Sequence, residues 1–456
     1  MKLYCAFSER MMGLLSMFRG GVRPDDSKSH TRHKPVEPLP PPEFLTLPMS
    51  MHYGVACTPT VIPGDSVLLG QVIGTSDAPA SAPIHAPVSG RVAAVEPRPH
   101  PNGRRVMSVI LQNDGLDKPH SGVAPYGSVE SLTPEELLNI IHSAGIVGLG
   151  GATFPTHAKI RSGMGKVAHV IINGCECEPY ITSDHRLLRE SPEEVVGGLK
   201  ILMKIFGVSR GTVAIEANKR DAVESIRRTL PRRKVGISVR SLPVRYPQGA
   251  EKQLIQTIAD KEVPPNALPA TVGAAVFNAD TAAAVHRAVT TGMPLIRRIV
   301  TVSGSAVSNA KNLSVRIGTP LEAVFAATGG FRETPGKVLT GGPMMGIAQF
   351  DLSAPVVKGT NAVLAFSRSE VEAERAQTCI RCGKCVQVCP VNLEPTYLYI
   401  YERKNRLDML EKYNITDCIE CGCCSYICPG RLHLVHSIRT GKQKLEAGKA
   451  AGKEGR

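Results

Sequence analysis

"TCIRCGKCVQVCP" (residues 378–390) and "DCIECGCCSYICP" (417–429) hold nine of the thirteen cysteines in a chain of 456 residues. Both read C-x2-C-x2-C-x3-C-P. The x2 spacings wrap a loop around one cluster corner and direct three thiolates at three irons. The fourth cysteine, a helical turn further on, points away and ligates the neighbouring cluster. The spacing therefore predicts two [4Fe–4S] clusters with crossed ligand sets. Cys379, Cys382, Cys385 and Cys428 would hold one, and Cys418, Cys421, Cys424 and Cys389 the other. Paired C-x2-C also builds zinc ribbons, but a four-ligand zinc site gains nothing from the third cysteine and the C-P ending of each run. Dense vicinal cysteines belong to a reduced compartment, which argues against disulfides. Cys423 is surplus and is expected to pack beside its cluster. Two adjacent clusters pass single electrons only, so the remainder of the chain must bring a donor or an acceptor.

That remainder is rich in Gly and Pro, has no Trp and few aromatics, a composition of many turns and short strands rather than a helical bundle. Its length suggests two to four domains. No apolar run approaches the roughly 18–20 residues of a membrane span. Residues 1–17 read as a disordered extension or as a start assigned too early, since a better-looking sequence begins at Met17. The net charge of +14 gathers at Arg227, Arg228, Arg232, Arg233 and Lys234, and again after Arg439 at Lys442, Lys444, Lys449, Lys453 and Arg456. Neither group has a stacking aromatic or a DNA-reading motif beside it, so the charge does not point to nucleic acid. A solvated surface is one reading; contact with anionic lipid is another.

"LTPEELLNIIHSAGIVGLGGATFPTHAKI" supplies the missing partner for the clusters. Thr133-Pro134-Glu135-Glu136 is a capping box with proline at the first helical position, and Gly145 ends the helix. Gly148, Gly150 and Gly151 then form a loop whose backbone N–H groups can approach a phosphate or flavin closely, with Lys159 adding a compact positive charge. "KVAHVIING" reads as a buried strand. Ligands in α/β sheets sit beyond the carboxyl ends of strands, which places Asn173, Glu176 and Glu178 where a ligand belongs. Strand-helix alternation continues through "GTVAIEA", "KRDAVESIRRTL" and "VGISVRSLPVRYPQGAEKQLI", so a mostly parallel α/β fold is expected.

The series "GLGGATFPTHAK…NGCECEP…YPQGAEKQLI…VFNADT" resembles the flavoprotein subunit of respiratory complex I, which binds FMN and stacks NADH on it. The resemblance implies that Gly148, Gly150, Gly151 and Lys159 belong to an FMN loop. It also implies that Asn173, Glu176, Asn278 and Thr281 contact flavin or ribityl phosphate, and that Glu178 and Glu251 line the NADH side. Leu149 stands where that family has arginine, and Cys175 where it has an acidic residue. Cys175 and Cys177 are read as two buried thiols or, alternatively, as a redox pair sharing one face.

"TVSGSAVSNAKNLSVRIGTPLEAVFAATGG" with the following "TGGPMMG" resembles an SLBB β-grasp domain, expected to brace the flavin region against the clusters. "VIPGDSVLLGQVIG" and "APIHAPVSGRVAAV" resemble the two halves of a lipoyl-type barrel-sandwich hybrid. No lysine occurs between Thr75 and His85, so a structural or docking module is expected, not a carrier, with His85 packed or exposed and no ligand to a metal. The Pro-rich stretch ahead of it should run extended over the surface.

The expected fold class is multidomain α/β and α+β. Its segments are an extension (1–17), an arm (18–50), a barrel-sandwich hybrid (51–115), an FMN/NADH-binding α/β domain (125–295), an SLBB β-grasp (296–350), a two-cluster ferredoxin domain (365–437) and a basic tail (438–456). That order, with "FRGGVRP" near the start, resembles the RnfC family of Rnf (Rsx) electron-transport complexes. The resemblance implies a peripheral oxidoreductase subunit on the cytoplasmic side of the bacterial inner membrane. It would pass electrons between NAD(H), FMN and two [4Fe–4S] clusters, with the complex's membrane subunits as partners and ferredoxin reached through them. A flavin and iron–sulfur cobalamin reductase of the microcompartment type is the alternative, although that group places the flavin motif first. A redox-silent zinc scaffold is a third reading.

Overall fold

The alternating patterns between residues 134 and 291 fold into a four-stranded sheet, all parallel, in the computed structural model, which describes residues 18–230, 236–371 and 376–454. The proposed extension 1–17 and the basic residues Arg232, Arg233, Lys234 and Arg456 lie outside those residues. Strand order is Ile237–Leu242, Gly211–Glu216, His169–Gly174, Ala274–Asn278. Helices on both faces bury the two central strands, which explains their unbroken apolar runs; every residue of Gly211–Glu216 is buried. The first strand in sequence lies inside the sheet. The chain builds outward to one side and later crosses to the other, so the order reverses between His169–Gly174 and Ala274–Asn278. Asn173 and Asn278 are register partners at that crevice.

Local chemistry sets the surrounding elements. Helix Pro134–Ser143 begins with the predicted capping box, Thr133 Oγ1 accepting from Glu136 N while the Glu136 carboxylate accepts from Thr133 N. Its apolar face, Leu137, Leu138, Ile140 and Ile141, is buried. Helices Pro192–Phe206 and Ala279–Thr291 press together at Gly198, where a Cβ would overlap the Ala282 carbonyl.

Residues 44–113 form the barrel-sandwich. One antiparallel sheet contains Phe44–Pro48, Ser66–Val67, Gly90–Pro99 and Arg105–Asn113; a second contains Thr58–Pro59, Val72–Thr75 and Ile84–His85. Leu45, Leu47, Val67, Ile73, Ile84, Val109 and Leu111 fill the space between them. His85 is buried, and burial together with the nearby Lys358 ammonium pushes its pKa down to about 3, so the ring is neutral. Lys358 is itself buried. Its Nζ donates to Pro83 O (2.6 Å) and Gly145 O (2.8 Å), pinning the sandwich to the turn that precedes the glycine loop.

The β-grasp sheet has six strands, ordered Val36–Pro38, Lys311–Arg316, Arg297–Ser303, Ala362–Phe366, Lys337–Thr340 and Ile347–Gln349. Helix Leu321–Ala326 covers a core of Val300, Val302, Leu313, Val324 and Phe325. The first strand comes from the N-terminal arm. That arm, expected to run extended over the surface, turns on itself at residues 28–34 and ends as barrel-sandwich strand Phe44–Pro48; its Phe18, Val22, Lys28 and Thr31 are buried, because each enters a gap between other segments. In the C-terminal region, helices Pro395–Arg403 and Leu434–Glu454 pack around Leu398, Leu410, Ile415 and Ile438. Part of the basic tail is spent internally: Arg439 and Lys442 both pair with Glu420, and Lys444 with Glu402.

Candidate functional site

The eight spaced cysteines line two separate cavities. One is walled by Cys379, Cys382, Cys385 and Cys428, the other by Cys389, Cys418, Cys421 and Cys424. The fourth cysteine of each run thus faces the cavity of the other run. Backbone amides aim at the sulfurs: Arg381 N donates to Cys379 Sγ (3.4 Å), Glu420 N to Cys418 Sγ (3.3 Å) and Leu393 N to Cys389 Sγ (3.2 Å). Arg381 and Glu420 both have φ of 56°, and the glycines two residues later have φ of 72° and 78°, the turn that brings these N–H groups around the sulfur. Among the described residues no group of three or more such side chains could hold a metal ion; the thiols are arranged around a space, not gathered on a point. N–H groups directed at thiolate sulfur and a cavity between four thiols fit an iron–sulfur cube. Cys423 is fully buried and its Sγ donates to Tyr246 O (3.9 Å).

The second site lies where the parallel sheet reverses order. Asn278 caps helix Ala279–Thr291, its Oδ1 accepting from Asp280 N (2.9 Å) and Thr281 N (3.4 Å), while Nδ2 donates to Asp184 Oδ2 (2.6 Å). Asp184 is deeply buried beside Glu176 and Asp280, and all three effects push its pKa up. Asn173 Nδ2 donates to Gly249 O (2.8 Å) and its Oδ1 accepts from Cys175 N (3.1 Å). The glycine loop arches above. Thr281 Oγ1 accepts from Leu149 N (2.9 Å), and buried Arg298 donates to Leu149 O (3.1 Å). Leu149 itself is buried. Gly150 and Gly151 are exposed, and a Cβ on Gly151 would meet nothing within 4 Å. The N–H groups of Gly150, Gly151 and Ala152 find no acceptor among the described residues. A row of free amides over the carboxyl ends of two strands fits a phosphate-bearing flavin.

The remaining residues singled out from sequence divide. Lys159 pairs with Glu251 at the rim of the sheet, its Nζ also 5.4 Å from the Phe277 ring. Glu176 is turned to helix Ser183–Glu190, accepting from Asp184 N (2.6 Å) and His185 N (3.3 Å). Glu178 is half-buried between domains and accepts from Met344 N (3.0 Å) and Met345 N (2.9 Å) of the "TGGPMMG" loop. Burial pushes its pKa up to about 7, against those two amides. Cys175 and Cys177 enter different packing environments. Cys175 lies in the core under the sheet with Ile171 and Leu254, and Cys177 beside Tyr246, Cys421 and Cys423.

Two contacts join the two sites and a third braces the segment between 176 and 181; no motif marks any of the three. Tyr246 Oη donates to Cys421 O (2.7 Å). The same tyrosine is two residues before Gln248 and three before Gly249, the residue that Asn173 holds and whose N–H points at Cys177 Sγ (3.4 Å). The loop gripped by Glu178 lies on Gly422, where a Cβ would sit 2.7 Å from Met344 O. The third is Lys28 of the arm, which donates to Glu176 O and Glu178 O (both 2.9 Å) and to Ile181 O. Lys28 holds the segment 176–181, in which Glu176 and Tyr180 have positive φ. "YPQGAEKQLI" and "TGGPMMG" were visible motifs, but only burial reveals what Tyr246 and Met344 touch.

Relatives decide the family. One relative, from the Na(+)-translocating ferredoxin:NAD(+) oxidoreductase complex of Acetobacterium woodii, is 46% identical over 95% of this chain and 98% of its own length. The chain belongs to the RnfC family of ion-translocating oxidoreductase complexes. Two further members are similar. The proton-translocating counterpart of Clostridium ljungdahlii is 43% identical, covering 89% of this chain and 88% of the relative. The counterpart from the ion-translocating oxidoreductase complex of Rhodobacter capsulatus is 44% identical, covering 94% and 83%. Family models match in the order expected: an RnfC barrel sandwich hybrid domain at 16–116, a Nuo51 FMN-binding domain at 141–287, an SLBB domain at 299–348 and a 4Fe-4S dicluster domain at 373–429. The RnfC chain is therefore an FMN and iron–sulfur protein, which sets aside the zinc scaffold, and family membership sets aside the cobalamin reductase. No helix among the described residues is long and apolar enough to cross a membrane.

Proposed function

We propose that this RnfC-family protein exchanges electrons between NAD(H) and the other subunits of an ion-translocating oxidoreductase complex, with one cysteine cavity standing between the flavin and the second cavity. Bound FMN supplies the exchange between a two-electron hydride and single electrons, and the chain supplies position and electrostatics. In this reading the free amides of Gly150 and Gly151 hold the FMN phosphate. Gly148 and Thr281 shape the loop, and Asn173 and Asn278 meet the flavin at the strand ends. Lys159 and Glu251 form the rim that nicotinamide dinucleotide approaches. Glu176 and Glu178 act at one remove: Glu176 fixes the helix behind Asn278, and Glu178 fixes the loop against the cluster region. Cys389, Cys418, Cys421 and Cys424 hold the cluster nearer the flavin; Cys379, Cys382, Cys385 and Cys428 hold the farther one.

The observation that carries this reading is the seam at Tyr246. Its backbone adjoins the Asn173–Gly249 contact on one side, and its hydroxyl holds the Cys421 carbonyl on the other. The protein would sit on the cytoplasmic face of the inner membrane and co-purify with integral membrane subunits. Anaerobic NADH titration of the full chain, loaded with FMN and both clusters, tests the reading. Flavin absorbance should bleach and EPR signals of reduced clusters should follow. Glu251→Gln should weaken bleaching while FMN stays bound. Flavin that NADH leaves fully oxidised would overturn the proposal.

A further inference from the structure

The first residue of strand Arg297–Ser303 and the last of strand Lys311–Arg316 are register partners in the β-grasp sheet, and both are arginines. Like charges directly opposite each other on neighbouring strands cost stability, so the pair needs an account. Both side chains line a cavity of about 600 Å³, and Arg287 enters the same cavity from helix Ala279–Thr291. Their charges are unequally met. Arg287 donates to Glu194 Oε2 (2.6 Å) and Asp280 Oδ1 (3.1 Å), and Arg316 to Asp117 Oδ2 (2.7 Å). Arg297 forms no ion pair among the described residues. A guanidinium carries more N–H donors than these pairs use, so all three arginines keep donors to spare. Glu194 alone is acidic among the described residues of the wall, and Arg287 already holds it. Leu39, Leu69, Pro294 and Leu295 make another part of the wall apolar. None of the wall residues belongs to the flavin crevice or to a cysteine run, and cavities of this size hold small ligands.

We infer that this cavity binds a phosphomonoester on an apolar body, with Arg297 and Arg316 gripping the phosphate from adjacent strands. Planar guanidinium forks match phosphate oxygens and pair with them bidentately. A phosphomonoester presents three acceptor oxygens, enough to engage both forks, whereas the two oxygens of a carboxylate satisfy one. Phosphate between the arginines replaces a like-charge repulsion by two attractions and supplies the counter-charge that Arg297 lacks. Arg287 is held by two carboxylates, so its remaining donors are fixed in advance and little ordering is lost on binding. The apolar body lies against Leu39, Leu69, Pro294 and Leu295. No bond is made or broken. A soluble phosphomonoester and the phosphate headgroup of a lipid carry the same chemistry, and the experiment separates these sources.

The full chain, loaded with FMN and clusters so that the flavin site is filled, is titrated with phenyl phosphate by calorimetry. Sedimentation with phosphatidate vesicles, against phosphatidylcholine vesicles, gives the lipid arm. Binding of one phenyl phosphate per chain identifies a soluble ligand; selective sedimentation with phosphatidate alone identifies a headgroup. Arg297→Gln/Arg316→Gln should weaken whichever binding is seen by about tenfold. Arg297→Lys keeps the charge but loses the fork, and should weaken it less. NADH bleaching and iron content should be unchanged in Arg297→Gln. Without ligand, thermal melts should show this single variant at least as stable as the wild type, because the opposed pair is gone; it also carries the binding test if the double variant does not fold. Absence of binding in both arms, or binding that survives the loss of these arginines, overturns the inference. So does an unliganded Arg297→Gln chain that melts well below the wild type, since Arg297 would then serve the fold itself.

Discussion

Ile380 stands at the lip of one cysteine cavity with most of its side chain in solvent, whereas Ile419, at the matching place in the other loop, packs with Met344 and Val388. Spacing, glycine φ and amide-to-sulfur bonds agree between the loops. Everything outside the motif differs. The arm slips Gly20 against the second cavity's shared loop, where a Cβ would lie 2.7 Å from Cys389 O. Tyr246, Met344 and the helix Leu434–Glu454 cover the rest. A repeat of this kind dictates how a cluster is held. The domains around it dictate what can reach the cluster.

The largest effect that could break the comparison comes from the crossed ligands. Cys428→Ala, although it lies in the second run, should remove the same cluster as Cys379→Ala, with loss of about half the iron; EPR of the reduced protein distinguishes the two clusters. If Cys428→Ala instead resembles Cys418→Ala, the cavities have been paired wrongly. Next come the two glycines. Gly383→Ala should cost only the left-handed backbone, about 1 kcal/mol. Gly422→Ala adds a clash with the Met344 carbonyl and should cost about 3 kcal/mol or more; denaturation of the loaded protein gives both values. Equal costs would mean that the loop from Met344 does not cover the second site.

Smaller changes sharpen the picture. Tyr246→Phe strands the Cys421 carbonyl, which should cost about 1 kcal/mol in the same denaturation assay. Lys358 lies away from both clusters and reports on the junction of the sandwich with the turn before the glycine loop. Burial pulls its pKa from 10.5 down to about 7. The unfolded chain therefore binds more protons between those values, and stability should rise with pH from about 7 to 10.5 and stay level below. Lys358→Met should flatten that slope in thermal melts taken across the range.

Much of the arrangement was legible in the sequence because the motifs encode local geometry. C-x2-C-x2-C-x3-C-P predicted which thiols face which cavity, and Thr133-Pro134-Glu135-Glu136 predicted a helix start. The strand "KVAHVIING" predicted that Asn173 would emerge at a carboxyl end. The remainder depends on segments far apart in the chain. Nothing local in Lys28 marks it as the cation that holds residues 176–181, and Glu178 reads as a ligand-facing carboxylate until the loop at Met344 is seen to occupy it. The tail looked like a surface charge run, yet Arg439 and Lys442 are committed to Glu420. Long-range ion pairs leave no periodicity, so composition alone overestimates how much of the +14 charge faces outward.

The central claim is that the covered cluster lies between the flavin and the open one. Rapid-freeze EPR after mixing with NADH, applied to Cys421→Ala and Cys379→Ala, tests it most directly. In Cys379→Ala the remaining, covered cluster should be reduced as fast as in the wild type. In Cys421→Ala the flavin should still bleach while the remaining, open cluster stays oxidised on the same timescale. Equal reduction of the remaining cluster in both variants would contradict the account.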